Sequence, residues 1–482
     1  MTTDSLTRQA ENPAAASLAD RAEGDVNLTS RRERWVRENL SPTTRELLDE
    51  DARYFLRQSL STPCLNGLAA AKGSYLVDLQ GRRFLDFHGN NVHQVGYGHP
   101  EVTRAVIDQL QSLSFCPRRY ANRPAVELAG KLTSLAPDGL DKVLLTPGGT
   151  SALGLALKLA RLVTGRFKFV SMWDAFHGAS LDALSVGGER QFRAGLGPLL
   201  PGIEHVPPAE PYRCLWDQAG KCEDCGLKCA RYVDYVLEKE GDVAAVVAEP
   251  IRCTAVNPPP PGYWKAVRAA CDRRGALLIL DETALCLGRT GKMFACEHFE
   301  VIPDMLILGK GLGGGLFPLA GMLTRAEYDR FAEKSLGHYT HEKSPVGCAA
   351  ALAAIKVIER EGLVPRAEAL GRHALARLRD IMARRPLVGD VRGLGLVLGL
   401  ELVTDRRAKT PAPAEAEDAM YRSLAKGLSF KVSQGNFLTL APPLTIAPAE
   451  LERALDIIDE SLGEIDADRF RDNHITDPWV EK

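Results

Sequence analysis

The sequence predicts an α/β protein with a mainly parallel sheet in a large domain, followed by a smaller α+β unit. Three observations carry this prediction. Short apolar runs at 142–146, 168–171, 243–248, 276–280 and 305–308 are interleaved with helical text at 100–113, 124–136 and 151–162. Strands separated by helices imply βαβ units and parallel pairing. The last third reads differently, with helices at 345–361, 364–385, 413–427 and 448–462 around strand text at 388–403 and 436–440. Finally, 482 residues at 45% hydrophobic and 25% charged have the make-up of an ordinary globular protein with a sizeable core.

Taken in order, residues 1–30 are rich in Ala, Asp, Glu, Thr and Ser and read as a disordered tail. Residues 31–99 begin as helix, which Ser41-Pro42 interrupts as an N-cap and first helical residue. Ser74–Asp78 and Arg83–Phe87 then read as a hairpin across Leu79-Gln80-Gly81. This segment is expected to join the smaller unit. Residues 100–345 form the large domain, and 346–482 the C-terminal α+β unit. Within the large domain, 207–230 has Pro, Gly and Cys without a clean period and reads as an insertion.

Charge and hydropathy narrow the function. There are 60 Lys+Arg against 62 Asp+Glu, a formal net charge of -2, so no extended basic surface for nucleic acid is expected. No run approaches the roughly 18 apolar residues of a membrane span. The N-terminus lacks the basic start and apolar core of a secretory signal. Eleven cysteines without an export signal fit a reducing cytoplasm.

The chemistry sits at strand ends. In Ala276–Gly291, ALLILDETALCLGRTG, an apolar strand runs into Asp281; ligands bind at the carboxyl ends of such strands. In Met305–Gly315, MLILGKGLGGG, a second strand delivers Lys310 into a glycine-rich turn. A lysine in a dry pocket has its charged form disfavoured and becomes a candidate amine nucleophile. In Leu144–Leu153, LLTPGGTSAL, a strand meets Gly-Gly-Thr-Ser and a helix N-terminus, a natural phosphate cradle. Pyridoxal phosphate (PLP) uses all three features: a Schiff-base lysine, an acid for its ring nitrogen and a phosphate site.

These segments resemble the class III aminotransferases, PLP enzymes of fold type I, over roughly residues 35–465. Asp281-Glu282 and Gly288-Arg289-Thr290-Gly291 are similar to that family's D-E…G-R-T-G signature, and Lys310 to its Schiff-base lysine. Gly148-Gly149-Thr150-Ser151-Ala152 resembles its phosphate loop, and Phe176-His177-Gly178 its aromatic-His-Gly, whose ring stacks on the cofactor. Glu249-Pro250-Ile251 matches a strand end, and Thr340 a threonine that reaches the phosphate in the neighbouring subunit. The resemblance implies a seven-stranded-type sheet, catalytic Lys310 and Asp281, and a homodimer with shared sites. It further implies cofactor contacts from Gly149, Thr150, Phe176, His177, Glu249 and Thr340.

Departures from the family pattern narrow the reaction. Ser151 stands where Glu is usual, Ala284 where Gln is frequent, and Thr439 where members acting on α-carboxylates carry Arg. Losing that arginine removes a bidentate carboxylate clamp. Phe87–Gly96, FHGNNVHQVG, resembles an N-N-V segment of phospho-lyases in the family, which marks Asn91 for substrate. Arg118 and Arg119 suit a dianionic phosphonate or phosphate. With CPRRYAN, LTPGGTSA, GHYTHEKSP and LSFKVSQGNFLTLAPPL, the chain resembles the (R)-1-hydroxy-2-aminoethylphosphonate ammonia-lyase branch. That resemblance implies release of ammonia and phosphonoacetaldehyde from a small aminophosphonate. The alternative is an ω-aminotransferase moving an amino group from a primary amine to a keto acid, because the cofactor motifs serve both fates.

Cys214, Cys222, Cys225 and Cys229 lie close in sequence, with C-x2-C-x3-C at their core. They read either as ligands of a structural zinc or as four reduced thiols on a loop.

Overall fold

The computed structural model describes residues 29–58, 64–216, 222 and 224–475, with side chains to residue 469. The expected N-terminal tail therefore lies almost wholly outside the described residues, as does part of the 207–230 insertion.

The N-terminal helices form where the caps predict. Ser41 Oγ accepts from the Thr44 backbone N–H, and Pro42 opens the helix Pro42–Tyr54. Three antiparallel strands follow, β1 Leu68–Lys72, β2 Tyr75–Asp78 and β3 Arg83–Asp86.

The large sheet holds seven strands: β4 Lys142–Thr146, β5 Lys168–Met172, β6 Ile203–Val206, β7 Val243–Ala248, β8 Leu277–Asp281, β9 Met305–Leu308 and β10 Ala320–Thr324. Their spatial order is β4-β10-β9-β8-β7-β5-β6. From β9 to β6 every pairing is parallel, while β10 runs antiparallel to both its neighbours. The central strands read VAAVVA and LLILD and are buried along their whole length. That is the pattern of a sheet covered on both faces, where each buried Val or Leu contributes about 1.5–3 kcal/mol. The expected mainly parallel α/β architecture is thus present. The sequence reading missed β6, whose IEHV is short and half polar, and β10, which follows a glycine-rich turn.

The C-terminal part builds a second sheet from β11 Val388–Leu394, β12 Val397–Asp405, β13 Thr410–Pro411, β15 Lys431–Ser433 and β16 Phe437–Leu440. The continuous strand text at 388–403 is in fact a hairpin, turned at Gly395-Leu396 with Gly395 at φ 52°. A short strand, β14 Leu428–Ser429, leaves this part of the chain and pairs in parallel with β3. The N-terminal hairpin is therefore completed by residues some 340 positions away (428 against 85).

No helix among the described residues is long and apolar enough to cross a membrane.

Candidate active site

The carboxyl ends of the large sheet open into one cavity of about 950 Å³, within the range of small-molecule sites. Asn91, Gly149, Thr150, Phe176, His177, Glu249, Asp281 and Lys310 all line it. The sequence reading assigned every one of these to cofactor, substrate or catalysis, from segments up to 219 residues apart (91 to 310), and the fold brings them together.

Asp281 ends β8 at the cavity floor. His177 Nδ1–H donates to Asp281 Oδ2 at 2.9 Å, while Thr283 donates to Oδ1 from its backbone N–H at 3.0 Å and its hydroxyl at 2.6 Å. Burial alone would raise this carboxyl, yet His177 and Thr283 together outweigh burial and hold it below the usual range. His177 is driven the other way: burial disfavours its charge, but the bond to Asp281 raises its pKa overall. Glu249 follows β7 and accepts from the Cys253 N–H at 3.1 Å and, weakly, from the Phe176 N–H at 3.4 Å. Burial first, and the Asp281 charge second, push the Glu249 carboxyl up.

Lys310 follows β9 after Gly309 and has φ 45°. Left-handed backbone at a non-glycine residue is strained and concentrates at functional positions. Its neighbours explain two glycines. A Cβ on Gly311 would stand 1.8 Å from Gln94 Oε1, and one on Gly309 would stand 2.8 Å from the Thr283 methyl. The same methyl would meet a Cβ on Gly149 at 2.9 Å. Thr283 therefore packs between the lysine turn and the phosphate loop while bonding Asp281.

Gly149 opens the helix Gly149–Thr164, so backbone N–H groups of its first turn face outward unpaired. Thr150 lies beside Gly178, whose φ is 122°; a Cβ there would sit 2.1 Å from Thr150 Oγ1. The Phe176 ring lies in the cavity wall with its centroid 4.6 Å from Phe192. Among the described residues, the buried polar atoms without a hydrogen-bond partner include His177 Nε2, Asn91 Oδ1 and Thr254 Oγ1, all on residues that line this cavity. A cradle closed to Cβ atoms, an ionised acid, a lysine and an aromatic face fit PLP.

Three predicted residues stand elsewhere. Thr340 is exposed and does not line the cavity of its own chain. Arg118 and Arg119 are also outside it, and Arg118 Nε donates to Glu342 Oε1 at 2.9 Å. Of the departures from the family pattern, Ala284 and Thr439 line the cavity and Ser151 does not. The sequence reading also missed lining residues. His88 stands inside the quoted FHGNN segment and Lys431 inside the quoted LSFKVSQGNFLTLAPPL, whereas Cys253 carries no motif.

The chain belongs to the class III aminotransferases. The family profile described as aminotransferase class-III matches residues 59–462. An (R)-1-hydroxy-2-aminoethylphosphonate ammonia-lyase of Vibrio splendidus is 47% identical, over 95% of this chain and 98% of its own. A 5-aminovalerate aminotransferase of Pseudomonas putida is 37% identical over 82% and 93%. Among solved structures, a PLP-bound amine transaminase from an uncultivated Pseudomonas species superposes with a TM-score of 0.80. It is 30% identical and covers 85% of this chain and 98% of its own. Fold type I and PLP as cofactor follow for this class III aminotransferase chain.

The structure describes all four cysteines of the insertion. Among the described residues no group of three or more His, Cys, Asp or Glu is arranged to hold a metal ion, and all four thiols are free. Cys229 lies in the first turn of the helix Lys228–Glu240 and packs into the main core with Val233 and Leu237. Burial pushes its thiol up to about 11, and the neighbouring Cys225 and Cys222 push the same way. Cys214, Cys222 and Cys225 are half-buried loop residues.

Proposed function

We propose that this chain is a PLP-dependent ammonia-lyase converting (R)-1-hydroxy-2-aminoethylphosphonate to phosphonoacetaldehyde and ammonia. The observation that carries this reading is the 47% identity, over nearly the full length of both chains, to the Vibrio splendidus ammonia-lyase. The aminotransferase relative of Pseudomonas putida reaches 37% over a shorter span.

Bound PLP supplies an electron sink next to the substrate nitrogen. Lys310 Nζ is the amine that would hold the cofactor's aldehyde carbon. Once the substrate amine displaces it, the same Nζ is free to take the proton from the amine-bearing carbon. Asp281, held ionised by His177 and Thr283, would keep a proton on the ring nitrogen. Gly149 and Thr150 would receive the phosphate, and Phe176 would cover one ring face. The neighbouring hydroxyl would leave with its bonding electrons and take up a proton to depart as water; the carbon that carried it would then gain a proton, and water would replace nitrogen on the other carbon. Ammonia departs, and no oxidant or reductant is consumed.

The reading includes a cytoplasmic homodimer with composite sites, acting in phosphonate breakdown. The exposed position of Thr340, away from its own chain's cavity, supports shared sites, as does the position of Arg118 and Arg119.

The test is single-substrate turnover. The purified, PLP-loaded protein should release ammonia continuously from the hydroxyphosphonate with no keto acid present. An ω-aminotransferase would stop after one equivalent per site, and that result would replace the lyase reading.

A further inference from the structure

The hydroxyl that leaves the substrate takes up a proton, so a proton donor belongs within reach of the cavity. Thr254, in the segment after β7, lines that cavity. It is 7% exposed, and its hydroxyl has no hydrogen-bond partner. Beside it, off the cavity, stands Glu189, 5% exposed, with both carboxyl oxygens buried and equally unpartnered. The Thr254 hydroxyl acts on the Glu189 carboxyl, although the two do not complete a hydrogen bond. Buried polar groups are nearly always paired, so two orphans side by side call for an explanation.

The fold holds Glu189 in place. The Gly188 N–H donates to the Ala175 carbonyl oxygen at 2.8 Å, and a Cβ on Gly188 would stand 2.2 Å from the Met172 carbonyl oxygen. Glu189 is thereby fixed against the end of β5. The nearby guanidinium is engaged elsewhere: Arg252 donates to Asp174 Oδ2 at 3.2 Å and to Glu210 Oε1 at 3.3 Å. The charged groups facing the carboxyl are Glu249 and Arg252 from the segment after β7 and Asp174 from the segment after β5. Burial first, and the Glu249 charge second, push it up to about 8, with Arg252 opposing and Asp174 adding. Near neutral pH, Glu189 is therefore a proton store and not a counter-ion.

We propose that Glu189 is a positioning residue that supplies the proton for the departing hydroxyl through the hydroxyl of Thr254, directly or across one water. This rests on the ammonia-lyase reading above. As the C–O bond breaks, its electron pair stays on oxygen. The Thr254 hydroxyl gives that oxygen its proton and takes the one from Glu189, and water departs. When water later replaces nitrogen, it loses a proton, which returns along the same path to the Glu189 carboxylate. The relay thus starts and ends neutral. The proton that Lys310 Nζ took is left for the carbon that lost the hydroxyl.

The experiment uses the full-length, PLP-loaded protein with Glu189→Gln, Thr254→Val, Thr254→Ser and the Glu189→Gln/Thr254→Val double variant. Glu189→Gln should lower kcat for ammonia release from the hydroxyphosphonate about tenfold or more, with KM within about threefold. The fall in wild-type kcat above about pH 8 should vanish with it. Thr254→Val should lose as much, Thr254→Ser should keep most of the rate, and the double variant should be no slower than either single one. Binding of 2-aminoethylphosphonate, which has no hydroxyl to protonate, is followed by the cofactor's visible absorbance. It should stay within about threefold in every variant. Independently of turnover, the melting temperature of Glu189→Gln should pull ahead of the wild type's as pH rises from 4.5 to about 8. In that window the folded acid keeps a proton that the unfolded chain releases, so the wild type loses stability. An unchanged kcat, a pH limb that survives Glu189→Gln, additive losses, a parallel loss of 2-aminoethylphosphonate binding or a melting gap that ignores pH would each overturn the relay. Wild-type protein that releases no ammonia removes the lyase reading and the relay together. Ammonia release that is indifferent to Glu189 removes the relay alone.

Discussion

On one side of the cavity, Asp281, Glu249, Lys310 and Gly149 stand at or within three residues of the ends of four strands of the large sheet. On the other, Lys431 and Thr439 stand within two short strands of the small sheet. The first side is built from parallel strands that all deliver their last residues to one edge, so its geometry is a by-product of the fold. The second has no such edge, and a residue contributes only if its side chain happens to face the cavity. The residues assigned to the cofactor therefore cluster where the large sheet delivers its strand ends.

That contrast can be broken most forcefully at Lys310. Lys310→Ala should lower ammonia release by about a thousandfold or more, with loss of the cofactor's native visible absorbance. Retained turnover would remove the lysine from the mechanism. Next comes Asp281→Asn, which deletes the charge on which the His177 pairing depends. We expect about a hundredfold fall in kcat, with cofactor still bound by the phosphate cradle. A loss confined to KM would move Asp281 from the chemical step to binding.

Gly178→Ala probes the same side through backbone. Its φ of 122° and the 2.1 Å approach to Thr150 Oγ1 should cost about 1–3 kcal/mol of stability, read by denaturant unfolding, with weaker PLP retention. An unchanged midpoint would mean the cradle tolerates a methyl group.

Lys431→Met sharpens the contrast on the other side, because here stability itself should depend on pH. The ammonium's ordinary value of 10.5 falls to about 7 in the folded chain. Between those values the folded state binds fewer protons than the unfolded one, so the wild type gains stability as pH rises through the window. The variant lacks this cost. Its melting temperature should exceed the wild type's most at pH 7 or below, with the gap closing as pH climbs toward 10.5. A gap that does not depend on pH would assign the gain to packing.

The smallest effect is expected at Arg118→Ala. The pair with Glu342 is partly exposed, so about 1 kcal/mol or less of stability is at stake. A clear rise in KM from the same change would bring Arg118 into a composite site, and its absence would leave Arg118 a surface ion pair.

What was legible in the sequence follows the same division. Asp281, Lys310 and Glu249 each follow an apolar run of strand length, and Gly149-Thr150 precede a helix. Position in the fold and chemistry are thus written side by side. Lys431 opens the three-residue strand β15 inside the quoted LSFKVSQGNFLTLAPPL segment, where no local pattern separates a cavity lysine from a solvated one. β10 was lost for a related reason: Ala320–Thr324 is five residues with two small side chains, too short for periodicity to speak. The cysteine spacing left two readings open because C-x2-C-x3-C counts residues and not directions. The helix starting at Lys228 turns Cys229 into the core.

The parallel pairing of β14 with β3 bears on the order in which the molecule is made. Phe84 and Leu85 leave the ribosome early, but the partner strand Leu428–Ser429 emerges only when most of the 482 residues have been synthesised. Until then β3 presents an unpaired edge, a liability for a nascent chain. Lys431 comes two residues after the strand that covers that edge. During synthesis the large-sheet side of the cavity can be assembled first, and the side that holds Lys431 and Thr439 arrives together with the clasp that joins the two ends of the chain.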